Sequence, residues 1–138
     1  MSQDASLIRR EDAVAFVESY RRAWENWDFD GFVDLFSEEV LYVAHATEET
    51  VVGREALASY IRKEAEDQGK ASVRMGHPVI EGDHVAAEFW VTRSNEGQDW
   101  TTAGCFIAQL GSDGRCTLFR EYWFDVEGHI QAYPGWGE

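Results

Sequence analysis

The stretch Thr117 to Asp125, read Thr-Leu-Phe-Arg-Glu-Tyr-Trp-Phe-Asp, constrains the fold of this chain more than any other. Side chains alternate along a strand, so Phe119, Glu121 and Trp123 share one face while Leu118, Arg120, Tyr122 and Phe124 share the other. Large apolar groups on both sides predict a central strand covered on both faces. Each face also carries one full charge, Glu121 on one and Arg120 on the other, and a covered charge needs a partner or a purpose.

The remaining chain supplies the cover. From Glu11 to Trp27, apolar groups at Ala13, Phe16, Val17, Tyr20, Trp24 and Trp27 keep helical spacing, with Glu11 and Asp12 in the first turn. Asp28 is placed to cap a short second helix running through Phe36, with Phe32, Leu35 and Phe36 as its buried side. A strand is expected over Val40–Ala46 and a polar loop over Thr47–Val52. Gly53 then precedes a third helix, from Arg54 to about Glu66, buried through Leu57, Tyr60 and Ile61. A meander follows: Ala71–Ile80, a turn at Glu81-Gly82-Asp83, His84–Arg93, a loop over Ser94–Gln98, Trp100–Leu110, and the turn Gly111-Ser112-Asp113-Gly114 before the central strand. Short turns dictate antiparallel neighbours. Three helices and a curled antiparallel sheet make an α+β domain whose sheet wraps the first helix and leaves a cone-shaped space between them. One domain over residues 1–138 is expected, with the polar residues 1–9 loose.

Composition narrows the function classes. With 12 basic against 26 acidic side chains, the net charge of -14 repels phosphate backbones and anionic lipid, so neither nucleic acid nor a membrane surface is an expected partner. No signal pattern and no apolar run of membrane length is present, which predicts a soluble, cytoplasmic protein. Six Trp, eight Phe and five Tyr either line a cavity or fill an aromatic core. Pairing about the Gly111–Gly114 turn sets Cys105 near Arg120 and Cys116 near Gln109, so no disulfide is expected. Two cysteines without a CxxC or a nearby paired histidine give no zinc pattern, and no metal is expected. No glycine-rich phosphate loop, HExxH, nucleophile elbow or calcium loop occurs, and no cofactor is expected.

Several segments together resemble the nuclear transport factor 2-like superfamily, and within it the SnoaL-like branch of polyketide cyclases and their bacterial relatives. They are Ala23-Trp24-Glu25-Asn26-Trp27-Asp28, Leu35-Phe36-Ser37-Glu38-Glu39-Val40, Val52-Gly53-Arg54-Glu55-Ala56-Leu57, Ile80-Glu81-Gly82-Asp83, Asp113-Gly114-Arg115 and Arg120-Glu121-Tyr122-Trp123. The resemblance runs from about residue 11 onward and implies a cone-shaped α+β barrel; a homodimer through the sheet is expected. It is specific for fold and weak for reaction, because the superfamily holds isomerases, dehydratases, cyclases, epoxide hydrolases and non-enzymatic binders.

The resemblance puts Glu121 at the position of a strand aspartate that works as acid or base in the cyclases and as acid in limonene epoxide hydrolase. It puts Tyr42 at that of a water-holding tyrosine and Tyr20 at that of the oxyanion-stabilising tyrosine of ketosteroid isomerase. Independently, a carboxyl between Phe119 and Trp123 is desolvated and its pKa raised, as proton transfer near neutrality requires; a structural ion pair with an arginine is the competing reading. Phenols on the same cavity suit a developing oxyanion, and the competing reading for both is a satisfied core tyrosine. His45 at a strand end is either a proton shuttle at the cavity mouth or a surface or dimer contact. Trp24, Trp27, Phe89, Phe106, Phe119, Trp123 and Ala44 are the expected cavity wall. His77 and His84 read as structural, and Glu88 and Trp90 as part of a dimer surface. The tail Ala132–Trp136 either covers the cavity mouth or stays disordered.

Departures from the resemblance are equally definite. Ala44 stands where the isomerase has its base, Phe106 near its second acid and the cyclase histidine, and Phe89 and Val91 where the epoxide hydrolase has an arginine and an aspartate. Three functions follow as alternatives. The leading one is a cofactor-free isomerase, cyclase or dehydratase, or an epoxide hydrolase-like enzyme, acting on a small hydrophobic molecule. The others are a non-catalytic binder of such a molecule and a dimerising association domain.

Overall fold

The computed structural model describes residues 10–138, and the expectation for residues 1–9 lies outside that range. Helix α1 (Arg10–Asn26) forms where the apolar spacing predicts it and buries Ala13, Phe16, Val17, Tyr20, Ala23 and Trp24. It stops because Trp27 takes a left-handed backbone, φ 49°, which turns the chain while the Asp28 N–H closes on the Ala23 carbonyl at 3.0 Å. A bulky residue rarely adopts that conformation. Here the indole repays it by donating Nε1–H to the Gly69 carbonyl at 2.9 Å, which ties the end of α1 to the end of the third helix.

Helix α2 (Phe29–Val33) is capped by Asp28, whose Oδ1 accepts from the Gly31 N–H at 3.0 Å. It is shorter than predicted. Phe36 opens strand β1 (Phe36–Val43) instead of closing the helix, because its backbone joins the sheet beside Cys116 and its ring is wholly buried. Tertiary pairing outweighs local helix preference here. The predicted loop before Gly53 contains a short strand, β2 (Val51–Val52), paired antiparallel to β1. Helix α3 (Arg54–Gln68) follows and buries Leu57 and Ile61.

The predicted strand Ala71–Ile80 divides into β3 (Lys70–Met75) and β4 (Val79–Glu81), with His77-Pro78 in the break, where proline offers no N–H to the ladder. Strands β5 (His84–Asn95) and β6 (Gln98–Leu110) run longer than predicted, because their connection is the two-residue turn Glu96-Gly97, not a five-residue loop. Both turn residues have positive φ, 53° and 80°, as a type I′ hairpin needs. Strand β7 (Cys116–Glu127) completes the set.

The sheet order is β2-β1-β7-β6-β5-β3, with β4 on β5. Strand β7 is therefore central, as predicted, lying parallel to β1 and antiparallel to β6. Its register differs from the expected one by two residues along most of the pair, where Cys105 faces Tyr122 and Ile107 faces Arg120, and by one next to the turn, where an irregularity at Gln109/Leu110 pairs Cys116 with Leu110. Both cysteines are free. Three helices on this curved, unclosed, mixed sheet make the α+β cone that the pattern predicts. Its concave face packs on α1 through Phe16 against Phe36 and Phe106, Tyr20 against Phe106 and Phe119, and Trp24 against Phe89. Curvature has a local cause at Gly104, opposite Trp123, where a Cβ would collide with the Tyr122 carbonyl oxygen.

The other face of β7 departs from expectation. Tyr122, Phe124 and Val126 are 46%, 73% and 46% exposed, so only one face of the strand is covered within the chain. The alternating pattern alone cannot distinguish cover by the same chain from cover by another. The tail also departs. It neither covers the cavity mouth nor stays disordered, but packs on the outer face of the sheet. Trp136 is 4% exposed between the Trp90 ring and the Arg74 guanidinium, which lies 4.9 Å from its centroid. Trp90 Nε1–H donates to the Ile130 carbonyl at 2.9 Å, so the chain's own tail covers one of the two residues expected at a dimer surface.

Candidate functional site

A cavity of about 320 Å³ lies between the concave face and helices α1 and α3. Tyr20, Trp24 and Trp27 come from α1 and its end, Phe32 from α2, and Tyr42 from β1. Tyr60, Ile61, Glu64, Asp67 and Gln68 come from α3, and Phe89, Arg93, Trp100, Thr102, Glu121, Trp123 and Asp125 from β5, β6 and β7.

Glu121 is 9% exposed and sits opposite Phe106 in the ladder, at the closed end of the cone. Burial, and secondarily the negative charge of Glu64, push its pKa up to about 8, while hydrogen bonds from Tyr20 and Tyr42 act in the opposite direction. The carboxyl is thus protonated at neutral pH yet close to releasing its proton. The Tyr20 hydroxyl donates to Oε2 across 3.5 Å, a long bond that leaves room for a ligand oxygen to compete. Burial and then the Glu121 charge hold both Tyr20 and Tyr42 well above the usual phenol range, so each keeps its proton to donate. Tyr42 is positioned by its ring, which stacks on Phe119 at 4.9 Å and 9°.

A second polar group stands nearer the rim. Arg93 donates Nη2–H to Asp125 Oδ2 at 2.9 Å and Nε–H to Thr102 Oγ1 at 3.1 Å, and the Thr102 hydroxyl donates to Asp125 Oδ1. The three residues lie on three adjacent strands, on the same face as Glu121. Tyr60 and Glu64 also line the cavity, one turn apart on α3. Burial, then Glu64, raises the Tyr60 phenol pKa. No group of three or more His, Cys, Asp or Glu among the described residues is disposed to hold a metal, and no helix among them is long and apolar enough to cross a membrane.

The family model of the SnoaL-like domain matches residues 17–119. The chain belongs to the SnoaL-like family. Solved structures share the fold of this SnoaL-like domain at low identity. The epoxide hydrolase/cyclase-like enzyme SalBIII, of pyran ring formation in salinomycin, has a TM-score of 0.76 at 17% identity, over 86% of this chain and 97% of that one. An LEH-like epoxide hydrolase from M. tuberculosis gives 0.70 at 21%, over 83% and 84%. A Catenulispora acidiphila protein with a ketosteroid isomerase-like fold, in complex with trimethylamine, gives 0.70 at 20%, over 78% and 83%. At such identities the likeness is one of fold. No curated protein sequence matches.

Within this SnoaL-like cavity the structure brings together Glu121, Tyr20, Tyr42, Trp24, Trp27, Phe89 and Trp123. It leaves four expected residues out. Phe106 and Phe119 are wholly buried in the aromatic layer behind the wall, stacked on each other at 5.1 Å. Ala44 is buried, and its carbonyl accepts the Trp123 Nε1–H at 3.0 Å, so it positions an indole instead of meeting a ligand. His45 lies outside the lining, its Nδ1 3.2 Å from Glu48 Oε2 and its ring against the Trp123 indole at 4.8 Å. Sequence reasoning missed Glu64, Asp67, Arg93, Thr102 and Asp125. A signal existed for the last of these, since Asp125 continues the alternation of Phe119, Glu121 and Trp123. Arg93 likewise continues that of Phe89 and Val91, two residues beyond the positions where an arginine and an aspartate were sought.

Proposed function

We propose that this SnoaL-like domain is an enzyme that needs no cofactor and moves a proton on a small, largely apolar molecule, by isomerisation, cyclisation, dehydration or epoxide opening. One observation carries the reading: a carboxyl buried beside two phenols opens onto a ligand-sized cavity walled by aromatic rings. Glu121, protonated at neutral pH, gives its proton to an oxygen or carbon of the bound molecule and then serves as the base that recovers one. Tyr20 and Tyr42 donate to the oxygen that gains charge, and the indoles of Trp24, Trp27 and Trp123 keep water away. The Arg93–Thr102–Asp125 group holds β5, β6 and β7 in register at the rim.

The test is deuterium exchange. Small cyclic ketones and enones incubated with the protein in heavy water are expected to gain deuterium next to the carbonyl, as followed by NMR. Retention of every proton by the whole panel, with the ligands recovered unchanged, would favour a binder instead. The binding reading has its own support in the ligand held by the Catenulispora protein of the same fold.

The outer face supports a homodimer. Exposed Tyr122, Phe124 and Val126 flank Arg120, whose Nε–H is buried without an acceptor. A second copy that buries those rings also offers the missing acceptor. In sedimentation equilibrium the wild type is expected at twice the monomer mass and Phe124→Asp at the monomer mass; a monomeric wild type rules out the dimer.

A further inference from the structure

The cavity's charge and hydrogen-bonding capacity are lopsided in a way that proton transfer does not require. Besides the protonated Glu121, three carboxyl groups line it, Glu64, Asp67 and Asp125, against one cation, Arg93, which Asp125 already holds at 2.9 Å. Among the described residues, neither Glu64 nor Asp67 has an ion-pair partner. Many of the cavity's donors are also spent inside the protein. Trp27 donates to Gly69, Trp123 to Ala44 and Arg93 to Thr102 and Asp125, while Gln68 donates its amide to Glu64 at 2.8 Å. On the side that α3 presents, apart from the Tyr60 hydroxyl, what remains is acceptor capacity: Glu64, Asp67 and the buried Gln68 Oε1, which has no donor at all. The rest of the wall is aromatic, and ring faces attract cations. One cation already uses them: the Arg93 guanidinium lies 5.7 Å from the centroid of the Trp100 ring. The chain's overall charge of -14 draws cations and repels anions at longer range.

We propose that the ligand of this cavity carries a compact tertiary or quaternary amine, held as a cation by Glu64 and Asp67 and by the faces of the surrounding aromatic rings. The inference rests on the reading of this cavity as the ligand site, but not on proton transfer by Glu121. A neutral apolar molecule would set no positive charge against Glu64 and would leave the buried Gln68 Oε1 unsatisfied, and an anion would meet the carboxylates of Glu64 and Asp67. An ammonium group offers positive charge to both kinds of wall and carries its apolar substituents into the same space.

A series of one shape and three charges tests this by calorimetric titration of the intact protein at low salt. Its members are choline, the alcohol in which a quaternary carbon replaces the nitrogen, and the tert-butylacetate anion. Choline is expected to bind at least about tenfold more tightly than the neutral alcohol, and the anion most weakly. Equal affinities, a preference for the neutral compound, or no binding by any of the three at millimolar concentration would overturn the proposal. In the double variant Glu64→Gln/Asp67→Asn, checked for folding by near-ultraviolet circular dichroism, the preference for choline is expected to fall severalfold. Full persistence in the folded variant would overturn the role given to those carboxylates, and the wild-type series decides the ligand class even if the variant does not fold. The two readings of the cavity fail separately. A cation preference alongside unaltered turnover in Glu121→Gln would sink only the acid–base role, whereas turnover that needs Glu121 without any cation preference would sink only this inference.

Discussion

Glu121→Gln is expected to lower turnover by about 10²–10⁴-fold while leaving ligand affinity within a few-fold of wild type, because it keeps the shape of the side chain and removes the proton it exchanges. Unaltered turnover would remove Glu121 from the chemistry. The same variant has a second signature, in stability. Folding raises the Glu121 pKa from 4.5 to about 8, so the folded state binds a proton that the unfolded state has released. That contribution is fully present below pH 4.5, declines as pH rises through the interval, and is gone above about 8. Glutamine has no such dependence. Relative to wild type, the variant should therefore gain stability on going from about pH 5 to about pH 9, by an amount on the order of a few kcal/mol. Urea midpoints measured at the two pH values report the change, and a constant difference between the proteins would mean that the carboxyl is not desolvated.

Phe119→Ala is expected to cost about 3–5 kcal/mol, the range for removing a large ring from a packed core. The residue touches four rings at once: it stacks on Tyr42 at 4.9 Å and on Phe106 at 5.1 Å, meets Tyr20 at 5.3 Å, and meets Phe36 edge-on at 5.5 Å. Two of the four are the phenols beside Glu121, so truncation should loosen the site as well as the core. Against a total of about 5–15 kcal/mol, such a loss shifts the denaturation midpoint by a large fraction of its value. A cost below about 1 kcal/mol would mean that the rings close over the gap and that Phe119 does not hold the tyrosines in place.

The fold was largely legible because its signals are periodic. Helical spacing placed α1 and α3, and alternation along Thr117–Asp125 placed the central strand and put Glu121 with Trp123 on the cavity side. Errors gathered where long-range pairing outweighs local pattern. Phe36 looks like the end of a helix and is the start of a strand, because only the ladder with β7 reveals its partner. Cavity depth was not legible either. Phe119 alternates with Glu121 in sequence, but the Tyr20 ring of helix α1 packs over it, whereas from Glu121 onward the space opens and Trp123 and Asp125 also reach it. Acceptors from α3 were missed because Glu64 and Asp67 resemble the solvated acids found along most of this acidic chain. Only the closing of α3 over the sheet brings the half-buried Glu64 and the exposed Asp67 to the cavity's edge.

The most direct measurement is the ionisation of Glu121 itself. In protein carrying carbon-13 at the glutamate carboxyls, the resonance absent from Glu121→Gln identifies the residue, and its shift followed across pH gives the pKa. A midpoint near 8 is the predicted result, marking a desolvated proton carrier at the closed end of the cavity. A midpoint at or below the ordinary 4.5 would mark a solvated or ion-paired carboxylate and contradict the account.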